Sequence, residues 1–77
     1  MKNSISDIMI HINETLSAEA RSSLEESMRQ IDGVISPKFN PGKDHLLLIA
    51  FNPDITSTAD LLAQARGAGY TAQLIGG

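Results

Sequence analysis

Two histidines (His11 and His45), Met9, the carboxylates Glu14 and Glu19, and Tyr70 are the side chains whose types and placing could hold a metal ion. Met9 and His11 stand on one face of a strand-like stretch, and local spacing fixes no third ligand beside them. Glu14 and Glu19 are separated by the four residues Thr15 to Ala18, and a carboxylate pair there could bind a hard divalent ion weakly. Acids before a helix also serve the helix N-terminus itself, so this pairing has a purely structural reading too. Ser17 has no histidine placed to activate it, and as a helix N-cap its hydroxyl is already engaged. The sequence contains no glycine-rich phosphate loop, no His-Glu-x-x-His and no nucleophile elbow. It reads as a non-enzymatic chain. Cysteine is absent altogether, which removes disulfides, zinc ribbons, thiol catalysis and the paired thiolates that select Cu(I).

Composition narrows the classes further. Seventy-seven residues are room for one domain, 1–77, with a core expected over about 7–75 and only about 60% of the unfolded surface buried. Apolar residues make up 42% and charged residues 19%, a globular balance rather than that of a disordered tail. A net charge of −3 with six Lys and Arg offers no phosphate-tracking surface. Three aromatic residues (Phe39, Phe51 and Tyr70) are too few for base stacking, so nucleic acid is rejected as a partner. The longest apolar run, Leu46 to Phe51, is six residues against the roughly 20 of a membrane span, so no membrane is expected. The N-terminal residues lack the apolar stretch of a signal peptide, so the expected location is the cytoplasm. For the same reason the sequon Asn13-Glu14-Thr15 carries no meaning.

The elements that must position these side chains are legible as two similar halves. From Asp7 to Asn13 polar and apolar residues alternate, with Ile8, Ile10 and Ile12 on one side; period two predicts a half-buried strand. Ser17 is the N-cap of a helix whose buried stripe is Ala20, Leu24, Met28 and Ile31. Glu25 and Arg29 form a favourable i,i+4 pair on its outer side, and Asp32-Gly33 ends it with glycine in the left-handed C′ position. Val34 to Asn40 is extended and holds Pro37, which cannot donate to a ladder and so belongs at a sheet edge. Asn40 to Asp44 is a turn. His45 to Phe51 is a strand apolar on both faces, and Ser57 to Asp60 opens a second helix with a capping-box pattern. Leu61, Leu62 and Ala65 are its buried side, Gly67-Ala68-Gly69 its end, and Tyr70 to Ile75 a last strand before a Gly76-Gly77 tail. The order βαββαβ gives a ferredoxin-like α+β sandwich, a four-stranded antiparallel sheet in the order 4-1-3-2 with both helices on one face.

Three stretches at matching spacings carry a family resemblance. Ile31-Asp32-Gly33-Val34 closing the first helix, Ile49-Ala50-Phe51-Asn52-Pro53 at the end of the third strand, and Ala68-Gly69-Tyr70 before the last resemble the heavy-metal-associated domain of copper chaperones and metal-pumping ATPases. The resemblance spans about Asp7 to Ile75 and implies the sandwich fold. It also implies a metal loop, Gly-Met-x-Cys-x-x-Cys, running from first strand into first helix. Counted back from Gly33, its cysteines fall on Ser17 and Ala20, and its methionine and glycine are missing as well. A hydroxyl and a methyl cannot replace two thiolates for Cu(I), so no cofactor is expected through the family motif. His11, Glu14 and Glu19 remain as weak alternative ligands for a divalent ion. Tyr70 takes the place of an aromatic beside the metal loop; the residue itself reads as an edge-of-core side chain.

The other reading concerns a surface. By analogy with that family, Ile49 and Phe51 face the helices, which leaves Leu46 and Leu48, with Met9 on the neighbouring strand, on the open face of the sheet. A contiguous apolar patch of this kind marks an interface, with His11 at its rim. Met9, His11, Leu46 and Leu48 are therefore the candidate contact residues for a partner protein or a second copy. A central strand apolar on both sides is also common without any partner.

Overall fold

The computed structural model describes residues 4–75. The Gly76-Gly77 tail and the first three residues lie outside them. The elements are β1 (Ser6–Ile12), α1 (Ala18–Arg29), β2 (Val34–Phe39), β3 (Leu46–Phe51), α2 (Thr58–Gly67) and β4 (Ala72–Ile75). The four strands form one antiparallel sheet in the order β2-β3-β1-β4, the ferredoxin-like sandwich read from the sequence. Pro37 pairs opposite Ile49 on β2, an edge strand as its missing N–H requires.

Strand alternation sorts the side chains as expected. Ile10 and Ile12 on β1 and Leu47, Ile49 and Phe51 on β3 are buried under the helices. Leu24 and Met28 of α1 and Leu61 and Ala65 of α2 close the core from the other side, with Ala20, Ile31 and Tyr70 packed at its margin. Six side chains (Ile10, Ile12, Met28, Leu47, Ile49 and Leu61) are fully buried, each contributing roughly 1.5–3 kcal/mol of transfer free energy. Both helices begin at a serine N-cap: Ser17 Oγ accepts from Ala20 N and Ser57 Oγ from Asp60 N, each at 3.1 Å.

Two local expectations are corrected. Helix α1 ends at Arg29, with Gln30 as a right-handed C-cap, so Gly33 lies beyond the C′ position. Its φ of +96° serves a tight return into β2: a Cβ there would sit 2.9 Å from Ile55 Cβ and Cγ2. Arg29 pairs with Glu26 at 2.6 Å and not with Glu25. The Glu25 carboxylate turns toward the sheet and accepts the N–H of Phe39 at 2.8 Å, tying α1 to the last residue of edge strand β2.

Candidate functional site

The β1–α1 loop is built from Asn13 to Ser17 and is held by its own neighbours. Asn13 N donates to Thr71 O at 2.9 Å, and Thr71 N donates back to the Glu14 carboxylate at 2.8 Å. That bond to the charged form holds the Glu14 carboxyl below its ordinary value of 4.5, with its own backbone N–H acting in the same direction. Arg21 reaches from the first turns of α1 to Leu16 O at 2.7 Å and lies 3.6 Å from Asp44 in the β2–β3 turn. Leu16 plugs the core beneath the loop, while Ser17 is committed to capping α1 and Ala20 packs against the core. Nothing local in the sequence singles out Arg21; its role depends on a backbone carbonyl and a turn that only the fold brings near.

The weak alternative ligands occupy different surroundings. Glu14 is engaged by Thr71, Glu19 is exposed in the first turn of α1, and His11 lies on the sheet face opposite the helices, its strand neighbours being Leu46 and Gln73. His11 and His45, far apart in sequence, have their rings stacked with centroids 5.9 Å apart and planes 19° from parallel. His45 Nδ1 is 2.7 Å from Ile12 O; a carbonyl can only accept, so this nitrogen carries the proton. His11 Nδ1 is buried with no hydrogen-bond partner. A metal on Nε2 of His11 would force the ring proton onto that buried nitrogen, leaving a donor unsatisfied at a cost of about 1–3 kcal/mol. Among the described residues no three His, Asp or Glu side chains are grouped so as to hold a metal ion. Tyr70 packs against the core margin beside Leu24.

The open face is ordered by the strand register. Lys38, Leu48, Met9 and Ile75 stand opposite one another across β2, β3, β1 and β4, a single row over the whole sheet. Leu46 and His11 form the next row with Gln73, and Ala50 lies between Ser36 and Asp7 in the row on the other side. Leu46, Leu48, Ala50, Met9 and His11 are half-buried by their neighbours, whereas Ile75, Lys38, Asp7, Ser36 and Gln73 are exposed. The result is an apolar centre with a polar rim. Beside the first residues of β1 lies a hollow of about 440 Å³, lined on the open face by Asp7, Met9, Leu48 and Ile75 and continuing round the edge of the sheet to Ile8, Leu74 and Thr58 on the helix side. Met9, His11, Leu46 and Leu48 thus share this face, the one on which the family resemblance placed Leu46 and Leu48. Sequence reasoning misses Ile75, whose parity follows from its pairing with Met9, and the two charges Asp7 and Lys38.

The sequence matches no family model and no curated protein. Solved structures do match. The N-terminal domain of a potential copper-translocating P-type ATPase from Bacillus subtilis, in its Cu(I)-loaded state, has a TM-score of 0.84 at 22% identity, covering 95% of this chain and 90% of that one. MerP from Ralstonia metallidurans CH34 gives 0.83 at 12% identity over 95% and 100% of the two chains. The CopZ metallochaperone gives 0.79 at 16% over 88% and 100%. The chain therefore shares the ferredoxin-like fold of these proteins. It has that fold without a cysteine.

Proposed function

We propose that this chain is a non-enzymatic interaction module, one that binds protein across the open face of its sheet and does not carry metal on a thiolate loop. The observation that carries the reading is the cross-strand row Leu48–Met9–Ile75, left uncovered by both helices and ringed by polar side chains. An apolar centre inside a polar rim is the anatomy of a protein contact. The β1–α1 loop supports the same reading, because Glu14, Leu16 and Ser17 are engaged with Thr71, Arg21 and Ala20. The fold is shared with a domain of a potential copper-translocating P-type ATPase and with a metallochaperone, which supports a link to metal-handling machinery; the missing cysteines favour a link through a partner.

The test is site-specific photo-crosslinking in living cells. A benzophenone side chain at Leu48 is expected to give a protein adduct of discrete mass, while the same group at exposed Glu26 on the far side of α1 gives none. Absence of an adduct at Leu48, or equal adducts at both positions, overturns the reading.

A further inference from the structure

We infer that the open face is self-complementary and is covered by a second copy of this chain, with Lys38 of each copy entering the other's edge hollow. The inference rests on the proposed role of that face and names its occupant. On the open face the hollow of about 440 Å³ has apolar walls from Met9, Leu48 and Ile75, and Asp7 lines it as well. An apolar slot with one carboxylate suits a side chain with an aliphatic stem and a cationic tip, which is a lysine. Among the described residues the same face carries one lysine, Lys38, exposed at the β2 end of the Leu48–Met9–Ile75 row.

The register fixes how two copies fit. A two-fold axis running along the strands lays β3 of one copy over β1 of the other, so Leu48 meets the partner's Met9 and Met9 meets the partner's Leu48. The same operation swaps the two edges of the sheet and carries Lys38 toward the partner's β4 side, where the hollow and Asp7 lie. An axis across the strands would instead bring Lys38 toward the partner's Lys38, and like-charge contact disfavours it. One orientation therefore satisfies the apolar row and both charges together, and by symmetry it does so twice.

Area sets the strength. Three strand spacings of about 4.8 Å and six residues at about 3.3 Å give a face on the order of 300 Å², well under the roughly 800 Å² each partner buries in a standard interface. The dimer is accordingly weak and concentration-dependent, in the micromolar-to-millimolar range.

Sedimentation velocity on the purified full chain, from about 10 μM to about 1 mM, reads this directly. The wild-type weight-average mass is expected to rise toward two chains. Lys38→Glu and Asp7→Lys, both at exposed positions that leave the core intact, should each raise the dissociation constant about tenfold or more, and the double exchange should recover most of that loss. Met9→Asp should give folded monomers, with folding checked by amide dispersion. A wild-type chain that stays monomeric to about 1 mM overturns the inference. So does a dimer indifferent to Lys38→Glu and Met9→Asp, or charge effects that the double exchange fails to recover. A monomer that still gives a discrete heterologous adduct at Leu48 in cells overturns self-association and leaves the interaction role standing; a monomer with no adduct overturns both.

Discussion

Glu14 illustrates how a residue's role depends on a partner remote in sequence. By type and place it reads as a ligand beside a helix start, yet its carboxylate is held by the N–H of Thr71, 57 positions away. The bond favours the charged form, so the folded-state pKa lies below the ordinary 4.5. A depressed carboxyl contributes stability that is present above the ordinary value and is lost as pH falls through the folded value. Glu14→Gln is therefore expected to lower the midpoint of thermal unfolding at pH 7, with the gap from wild type closing in acid below the folded-state pKa. A gap that stays constant down to acid pH would show that the Thr71 contact is not what matters. His11 is the complementary case: an apparent ligand whose Nδ1 is buried without a partner, on a sheet face away from Glu14's anchor.

At the scale of elements, the joints carry more information than the elements do. Helices, strands and caps follow from periodicity and from the two serine N-caps, but the joint between α1 and β2 does not. There the chain passes Gln30 and turns at Gly33, whose φ of +96° is open to glycine at little cost. A side chain at that position would also meet Ile55 at 2.9 Å. Gly42 has a positive φ of +78°, and a Cβ added there would meet nothing within 4 Å, so it isolates the backbone contribution. Gly33→Ala should lower the unfolding midpoint by more than Gly42→Ala, which itself costs about 1 kcal/mol or more. For a domain of this size each kcal/mol shifts the midpoint by about 4–8 °C. Equal shifts for the two variants would remove the Ile55 contact from the account. The Glu25 bond to Phe39 N belongs to this scale as well, since it converts a helix-surface acid into a tie between α1 and the edge strand.

At the scale of the molecule, β3 divides its six side chains between two environments. Leu47, Ile49 and Phe51 are buried against the helices, and Leu46, Leu48 and Ala50 are half-buried on the open face. A chain of 77 residues has a total stability of only about 4–12 kcal/mol. Ile49→Ala should cost about 2–5 kcal/mol and leave the chain partly unfolded at moderate denaturant, whereas Leu48→Ala should cost clearly less. Urea unfolding of the two variants decides this: similar losses would mean that Leu48 is a core residue and the open face is not free for a partner.

What the sequence determined by itself was everything local in origin. Alternation in β1, the helical stripe of α1, the proline of β2 and the serine caps are each set by residues a few positions apart, so the βαββαβ order and the buried side of β1 could be read from them, whereas the side of β3 that faces the helices came from the family resemblance. The absence of cysteine likewise settled that no thiolate loop exists. Tertiary structure alone decided what met across the sheet. Strand register joined Lys38, Leu48, Met9 and Ile75 into one row, and brought Asp7, Met9, Leu48 and Ile75 together around one hollow. Chain reversal brought Thr71 to Glu14 and Asp44 near Arg21. These are contacts between residues distant in sequence, and their identity depends on pairing register and strand length, where a slip of one residue would turn every side chain to the other face.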